Sequence, residues 1–251
     1  MTYEKTQKGN PHQLTVNQHC FPASCIKRFI NEKGRVELVR LPENDKVFAK
    51  PDAKIFCAKR AWDQRAEHIF MPEIERKYKI LAEEIICNNS LNLDSNRQRI
   101  ITDMFALWNI RFHWKDQPVE DQFIKGAIRV AVEYTQDEQE LLEKNGVTAI
   151  RPNLSVPGRS LTGNCIQTNL YKVREQMKDA HWGILRSRKG DFLVPDQSPN
   201  SRIIPLAPNL CLFTKSESED ISESEVAEIN ALSIAGSKEF YFAQDLNKCP
   251  R

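Results

Sequence analysis

Hydrophobic and polar residues change their spacing twice along this chain, and the three regimes predict its elements. Near the N-terminus the period is two. Arg35-Val36-Glu37-Leu38-Val39-Arg40-Leu41 alternates in the manner of a half-buried strand, and Asn44-Asp45 turns it into Lys46-Val47-Phe48-Ala49, a hairpin. Pro22 suits the first turn of a short helix before it, and Lys54 to Ala58 reads as a further extended segment. The middle of the chain has helical spacing. Ile74, Tyr78, Leu81 and Ile85 share one face of a helix opened by Pro72 and ended by Asn88-Asn89-Ser90. A second helix is predicted over 95–112, with Ser95 as cap and Ile101, Met104, Phe105 and Trp108 inward. A third covers 119–133 on Phe123, Ala127, Val130 and Ala131, and a short one over 137–144 stops at Asn145-Gly146. After a loop over 151–158, Ile166, Leu170, Val173 and Met177 stack along a helix over 162–182.

From Trp182 the pattern returns to short extended runs. Residues 182–187 turn at Lys189-Gly190 into 191–194, a predicted hairpin, and 202–206 pairs with 210–213. An acidic loop over 215–225 leads to a last helix around Val226 to Asn230. Strands at both ends around a helical middle predict an α+β fold, with strands from the N-terminal and C-terminal parts in a common sheet. The expected organisation is a flexible segment over 1–16, a single α+β domain over 17–243 and a tail over 244–251.

Composition narrows the classes. A chain of 251 residues, 40% hydrophobic and 28% charged, can bury a substantial core, so wholesale disorder is excluded. Its net charge of +2 leaves nucleic-acid binding to a local basic face. No run approaches the ~20 apolar residues of a membrane span, and the polar start lacks the apolar core of a signal peptide, so a cytoplasmic protein is expected. Seven cysteines without a C-x-x-C pair read as reduced thiols, with Cys87 and Cys165 as small core residues. No G-x-G-x-x-G, P-loop or G-x-S-x-G motif is present.

The candidate chemistry begins at His19, three residues before Pro22, in Gln18-His19-Cys20-Phe21-Pro22. An imidazole is a general base, a general acid or a metal ligand near neutral pH, and the proline limits the backbone beside it. The competing role is a structural hydrogen bond. Structural zinc on His12, His19, Cys20 and Cys25 is disfavoured by their spacing. Asp196, in Val194-Pro195-Asp196-Gln197-Ser198-Pro199, stands at a strand end, where a carboxylate serves either a site or an Asx-turn. Glu75 lies in the first turn of a helix, where its dipole already favours acids, and becomes a site candidate by facing His19. Arg111 binds a phosphate or pairs with a buried acid. Lys172, Arg174, Arg186, Arg188 and Lys189, near His181 and Trp182, form either a nucleic-acid contact or a solvated face.

The order of these segments resembles a prokaryotic and viral family, the domain of unknown function numbered forty-two thirty-eight. Its pattern is H-x-x-P with a basic-aromatic pair, a central arginine after an apolar helix, a late strand into D-N-P, then P-L-x-P, and a closing helix and aromatic strand. Here His19, Pro22 and Arg28-Phe29 correspond to the first part, and Glu75 and Arg111 to the central polar positions. Asp196, Pro205-Leu206-Ala207-Pro208, Asn230 and Phe240-Tyr241-Phe242 correspond to the rest. The family's D-N-P is departed from at Asp196-Gln197-Ser198-Pro199, and Val194 stands where the family has threonine. The resemblance implies architecture and positions, not a reaction.

Two functions follow as expectations. The first is a phosphodiester-cleaving, nuclease-like effector of a mobile element or antiviral defence system. In it His19, Glu75 and Asp196 would be catalytic, Arg111, Asn230 and Lys27 would contact substrate, and a divalent metal could assist. The alternative is a non-catalytic binding or sensor protein that recognises nucleic acid or a protein, with the same polar residues holding the fold together.

Overall fold

The computed structural model describes residues 3–88, 92–117, 119–126, 133–214 and 217–251. The fold is α+β. Strand β1 (Asn17–His19) and helix α1 (Ala23–Ile26) lead to the hairpin β2 (Val36–Arg40) and β3 (Asp45–Ala49), turned at Asn44 with φ 54°. A 3-10 turn (Lys54–Phe56) precedes β4 (Cys57–Lys59), and a π turn (Ala66–Phe70) runs into α2 (Met71–Cys87). Helix α3 (Ser95–Trp114) is capped by Asp94, one residue before the expected Ser95, because the Asp94 carboxylate reaches the Arg97 N–H. Next come β5 (Gln122–Phe123), α4 (Gln136–Lys144), β6 (Ser155–Val156) and α5 (Gly158–Gln176). Strands β7 (Trp182–Ser187), β8 (Val194–Pro195), β9 (Ile203–Ala207), β10 (Leu210–Thr214) and β11 (Glu219–Ile221) precede α6 (Glu223–Gly236) and β12 (Phe240–Ala243).

The expected common sheet exists. N-terminal β2 and β3 join C-terminal β12 and β8 in the order β3-β2-β12-β8. A second four-stranded sheet, β11-β7-β10-β9, is built from the C-terminal part alone. The apolar faces of both sheets enclose one core with α2 and α3, where Leu38, Phe242, Ile184, Leu212, Ile85 and Trp108 are buried together. Helix α6 covers the outer face of the second sheet through Val226 and Ile229. The β1-β4 and β5-β6 pairs are small two-stranded ladders outside these sheets.

Five expectations are corrected. Residues 119–126 are not helical: Gln122 and Phe123 pair with Val156 and Ser155, and Gly126 turns at φ 75°. The Ala127, Val130 and Ala131 part of that expectation lies outside the described residues. The segments 182–187 and 191–194 form no hairpin. The Phe192 N–H bonds the Pro208 carbonyl, the Asp191 N–H bonds Lys248, and the chain thus crosses from one sheet to the other. Residues 244–251 are no loose tail, because Leu246 and Cys249 are buried against Val39, Leu193 and Tyr241. Residues 3–16 are laid along α4, with Leu14 buried. Cys87 is exposed, while Cys20, Cys25, Cys211 and Cys249 are the buried thiols; all seven are free. No described helix is long and apolar enough to cross a membrane.

Candidate anion-binding cleft

The two segments singled out in the sequence do meet, but as structure. Trp108 Nε1 donates to the Asp196 carbonyl at 2.8 Å, and the Phe21 ring lies 4.6 Å from Trp108. Cys20, Phe21, Pro195 and Asp196 line one cavity of about 10 Å³, room for no more than a single water. The Asp196 side chain is spent on the turn between α6 and β12. It accepts the N–H groups of Lys238 at 3.0 Å, Glu239 at 2.5 Å and Phe240 at 2.9 Å. Burial pushes its carboxyl above the ordinary value, and these three backbone donors pull it back. His19 turns elsewhere: Nε2 lies 3.1 Å from the Pro51 carbonyl oxygen and, when protonated, donates to it. The expected His19–Asp196 partnership is thus replaced by separate local hydrogen bonds.

The other candidates are also engaged. Arg111 is buried beside Trp62, its guanidinium carbon 5.6 Å from the ring, and is paired with Glu75. Asn230, fully buried, accepts the Leu193 N–H at 2.8 Å and donates to the Asp191 and Pro250 carbonyls, each at 2.9 Å. It fastens α6 to the sheet crossing and the C-terminal segment. Lys27 is exposed on the 3-10 turn after α1. The C-terminal basic group is largely neutralised: Arg174 pairs with Asp103, Arg188 with Asp220 and Lys189 with Glu223. Among the described residues no three His, Cys, Asp or Glu side chains converge to hold a metal ion.

A site with unmet bonding capacity lies beside β4. Arg60 follows that strand with φ 44°, a left-handed backbone rare for a residue with a side chain. Its backbone N–H donates to the carbonyl of Val16, the residue before β1, at 3.0 Å. Its side chain is 2% exposed, and Nη2 donates to Glu143 at 2.8 Å. Nε and Nη1 have no partner among the described residues. Burial lowers the Arg60 pKa, and the neighbouring Arg159 charge adds to that. Arg159, at the start of α5, is held against the same Glu143 at 2.5 and 2.9 Å. Burial opposes its charge, but the Glu143 and Glu4 carboxylates outweigh burial and raise its pKa.

Arg60 and Arg159 both line a cleft of about 730 Å³. Lys59, Arg60, Lys115, Arg151 and Arg159 line it, and four of these cations are ion-paired: Arg60 with Glu143, Arg159 with Glu143 and Glu4, Arg151 with Asp121 and Glu4, and Lys115 with Asp116 and Glu239. Trp114 Nε1, buried without a partner among the described residues, lies in the same wall. The first turn of α5 closes one side. Its N-cap, Pro157, offers no side-chain bond, and Asp121 accepts the Gly158 N–H at 2.8 Å. A Cβ on Gly158 would lie 1.7 Å from the Val119 carbonyl oxygen, so only glycine permits this approach. The cleft lining thus includes residues whose donor nitrogens have no partner among the described residues, Arg60 Nε and Nη1 and Trp114 Nε1, and such donors are what an anion accepts from.

None of the six residues expected from the sequence lines this cleft. The legible clue was Val156-Pro157-Gly158-Arg159, a proline, glycine and arginine opening a helix, which reads as part of a loop when the helix is expected four residues later. Arg60 itself, in Ala58-Lys59-Arg60-Ala61, carries no distinguishing signal. In comparisons the chain matches no protein-family model, no curated protein and no solved structure.

Proposed function

We propose that this protein is a binding or sensor protein for a phosphate-bearing ligand of nucleotide size, held in the cleft beside β4. The observation that carries this reading is the buried guanidinium of Arg60, a residue lining the cleft, whose Nε and Nη1 have no partner among the described residues. A buried donor left unsatisfied costs about 1–3 kcal/mol, and more on a charged group, so a fold retains one where a ligand accepts from it. A phosphate supplies several acceptor oxygens and a charge for Arg60 and Arg159 together. The volume of about 730 Å³ lies in the range of small-ligand sites. An extended nucleic acid would instead require an unneutralised basic track. The phosphodiester-cleaving reading has no comparable support, since His19, Asp196 and Glu75 are each engaged in structural bonds.

The test is calorimetric titration of the full chain with inorganic phosphate, pyrophosphate, a nucleoside monophosphate, and single-stranded oligonucleotides with and without a 5′-phosphate. Binding should require a terminal phosphate. Arg60→Lys, which keeps the charge but not the planar fork, should weaken it about tenfold or more. Absence of binding by all ligands, or equal binding by Arg60→Lys, would overturn the proposal. Cleavage of either strand would restore the nuclease reading.

A further inference from the structure

We infer that the N-terminal segment is a latch over this cleft, with the Glu4 carboxylate standing where the ligand's anionic group belongs. The inference rests on the anion-binding reading and adds its regulation. Glu4 Oε2 accepts from Arg159 Nε at 3.2 Å and Nη2 at 2.9 Å, and Oε1 lies 3.7 Å from Arg151. Next to it, the Tyr3 ring lies 5.6 Å from the Lys59 ammonium. A flat, two-oxygen anion is thereby presented to the cations that a phosphate would meet. Glu4 makes no bond to the unpartnered Nε and Nη1 of Arg60, so it satisfies half of the site. A phosphate that reaches both arginines displaces it through bonds the latch cannot form.

The rest of the segment is built to let go. Residues 3–14 contain no helix or strand, and Leu14 is their one buried apolar side chain. Their hold on α4 is polar: the Gln7 N–H bonds Glu140 at 2.7 Å, Gln7 Nε2 bonds Asp137 at 3.0 Å, and His12 lies 2.8 Å from Asp137. The two bonds to Asp137 are exposed, and segments held by exposed bonds open at small free-energy cost, as ion pairs at half-exposed carboxylates are readily replaced. Opening also takes the Glu4 carboxylate from Arg159 and Arg151 and so removes one negative charge from the cleft lining.

The experiment compares the wild-type chain with Glu4→Gln, using pyrophosphate as the probe in calorimetry and in hydrogen exchange of residues 3–14. Glu4→Gln removes an exposed charge and leaves Arg60 and Arg159 in place. It should tighten pyrophosphate binding about 3- to 10-fold, because a competing closed state is depopulated. Adding pyrophosphate to wild type should speed exchange at the Gln7 amide. Equal affinities would overturn the latch while leaving the site intact. Tighter binding without faster exchange would also overturn it, being a charge effect alone. If neither chain binds pyrophosphate, the site itself falls, and the latch with it.

Discussion

Replacing Arg60 by methionine separates a residue kept for binding from one kept for folding, because the two roles predict opposite signs. In the free protein Arg60 makes one charge-assisted side-chain bond, to Glu143, which the variant loses. Such a bond contributes about 1.5–3 kcal/mol. Against this stand two buried donor nitrogens without partners among the described residues, each costing about 1–3 kcal/mol, together with a guanidinium that burial already disfavours. Glu143 is not stranded by the change, since Arg159 still donates to both its oxygens. Methionine keeps an unbranched stem of similar reach and needs no partner. The balance favours the variant by about 1–2 kcal/mol, and its melting temperature should rise by roughly 2–8 °C for a chain of this size.

Urea denaturation with and without phosphate is the assay. At a phosphate concentration about 100 times the dissociation constant, wild type should gain about 2.7 kcal/mol and Arg60→Met close to nothing. The ranking should therefore invert: the variant is more stable without phosphate and the wild type more stable with it. A loss of 3 kcal/mol or more in Arg60→Met, with equal phosphate responses, would make Arg60 a structural residue and refute the reasoning.

Four further outcomes are expected. Asn230→Ala leaves the buried Leu193 N–H and two less deeply placed carbonyls without their partners, and should cost about 2–4 kcal/mol in urea denaturation; a change under about 0.5 kcal/mol would point to a binding role instead. His19→Ala removes one bond to Pro51 and should cost about 1 kcal/mol while weakening phosphate binding a few-fold through the β1-β4 ladder; an unchanged affinity would uncouple the two. Asp121 is held below the ordinary carboxylate value, first by the Gly158 N–H and further by Arg151, so its contribution is present above roughly pH 4 and lost as pH falls through the lowered value. Faster exchange of the Gly158 amide should appear only on that acid side, and the same loss on raising the pH would contradict the assignment. Burial pushes the Cys20 thiol up to about 12 and Cys25 up to about 11, so iodoacetamide at pH 8 should label exposed Cys87 before either, as read by peptide mass spectrometry; early labelling of Cys20 would refute its burial.

What the sequence made legible was whatever local periodicity controls. The β2-β3 hairpin, the inward face of α3 and the pairing of β9 with β10 follow from spacing and turn residues alone. The crossing at Asp191 to Leu193 was hidden because its bonds go to Pro208, Lys248 and Asn230, none of them local. Residues 119–126 misread as a helix because Phe123 sits at helical spacing, yet it is exposed on a two-residue strand. The site was hidden for the same reason. Arg60, Glu143 and Arg159 are brought together by tertiary packing, and the strain at Arg60 is visible only in its backbone angle. Residue types with chemical reputations, a histidine before a proline and an aspartate between prolines, drew attention to positions that the fold uses as fasteners.

Those fasteners still bear on the site. His19 lies opposite Cys57 in the β1-β4 ladder, and the next cross-strand bond beyond that ladder joins Val16 to the Arg60 N–H. The His19 side chain grips Pro51, just before the 3-10 turn that feeds β4, so one residue secures both strands of the ladder. A three-residue ladder outside the main sheets has little burial of its own and needs such ties to hold a left-handed arginine in place. Asp196 acts at the neighbouring wall. It fixes the Lys238–Phe240 backbone, from which Glu239 reaches Lys115 at 2.5 Å, and Lys115 lines both the small cavity and the large cleft. The two residues most conspicuous in the sequence thus support two lining residues, Arg60 and Lys115, of a cleft that neither of them lines. Their loss should weaken binding by loosening Arg60 and Lys115, with no direct effect on any bound anion, which is the behaviour of positioning residues.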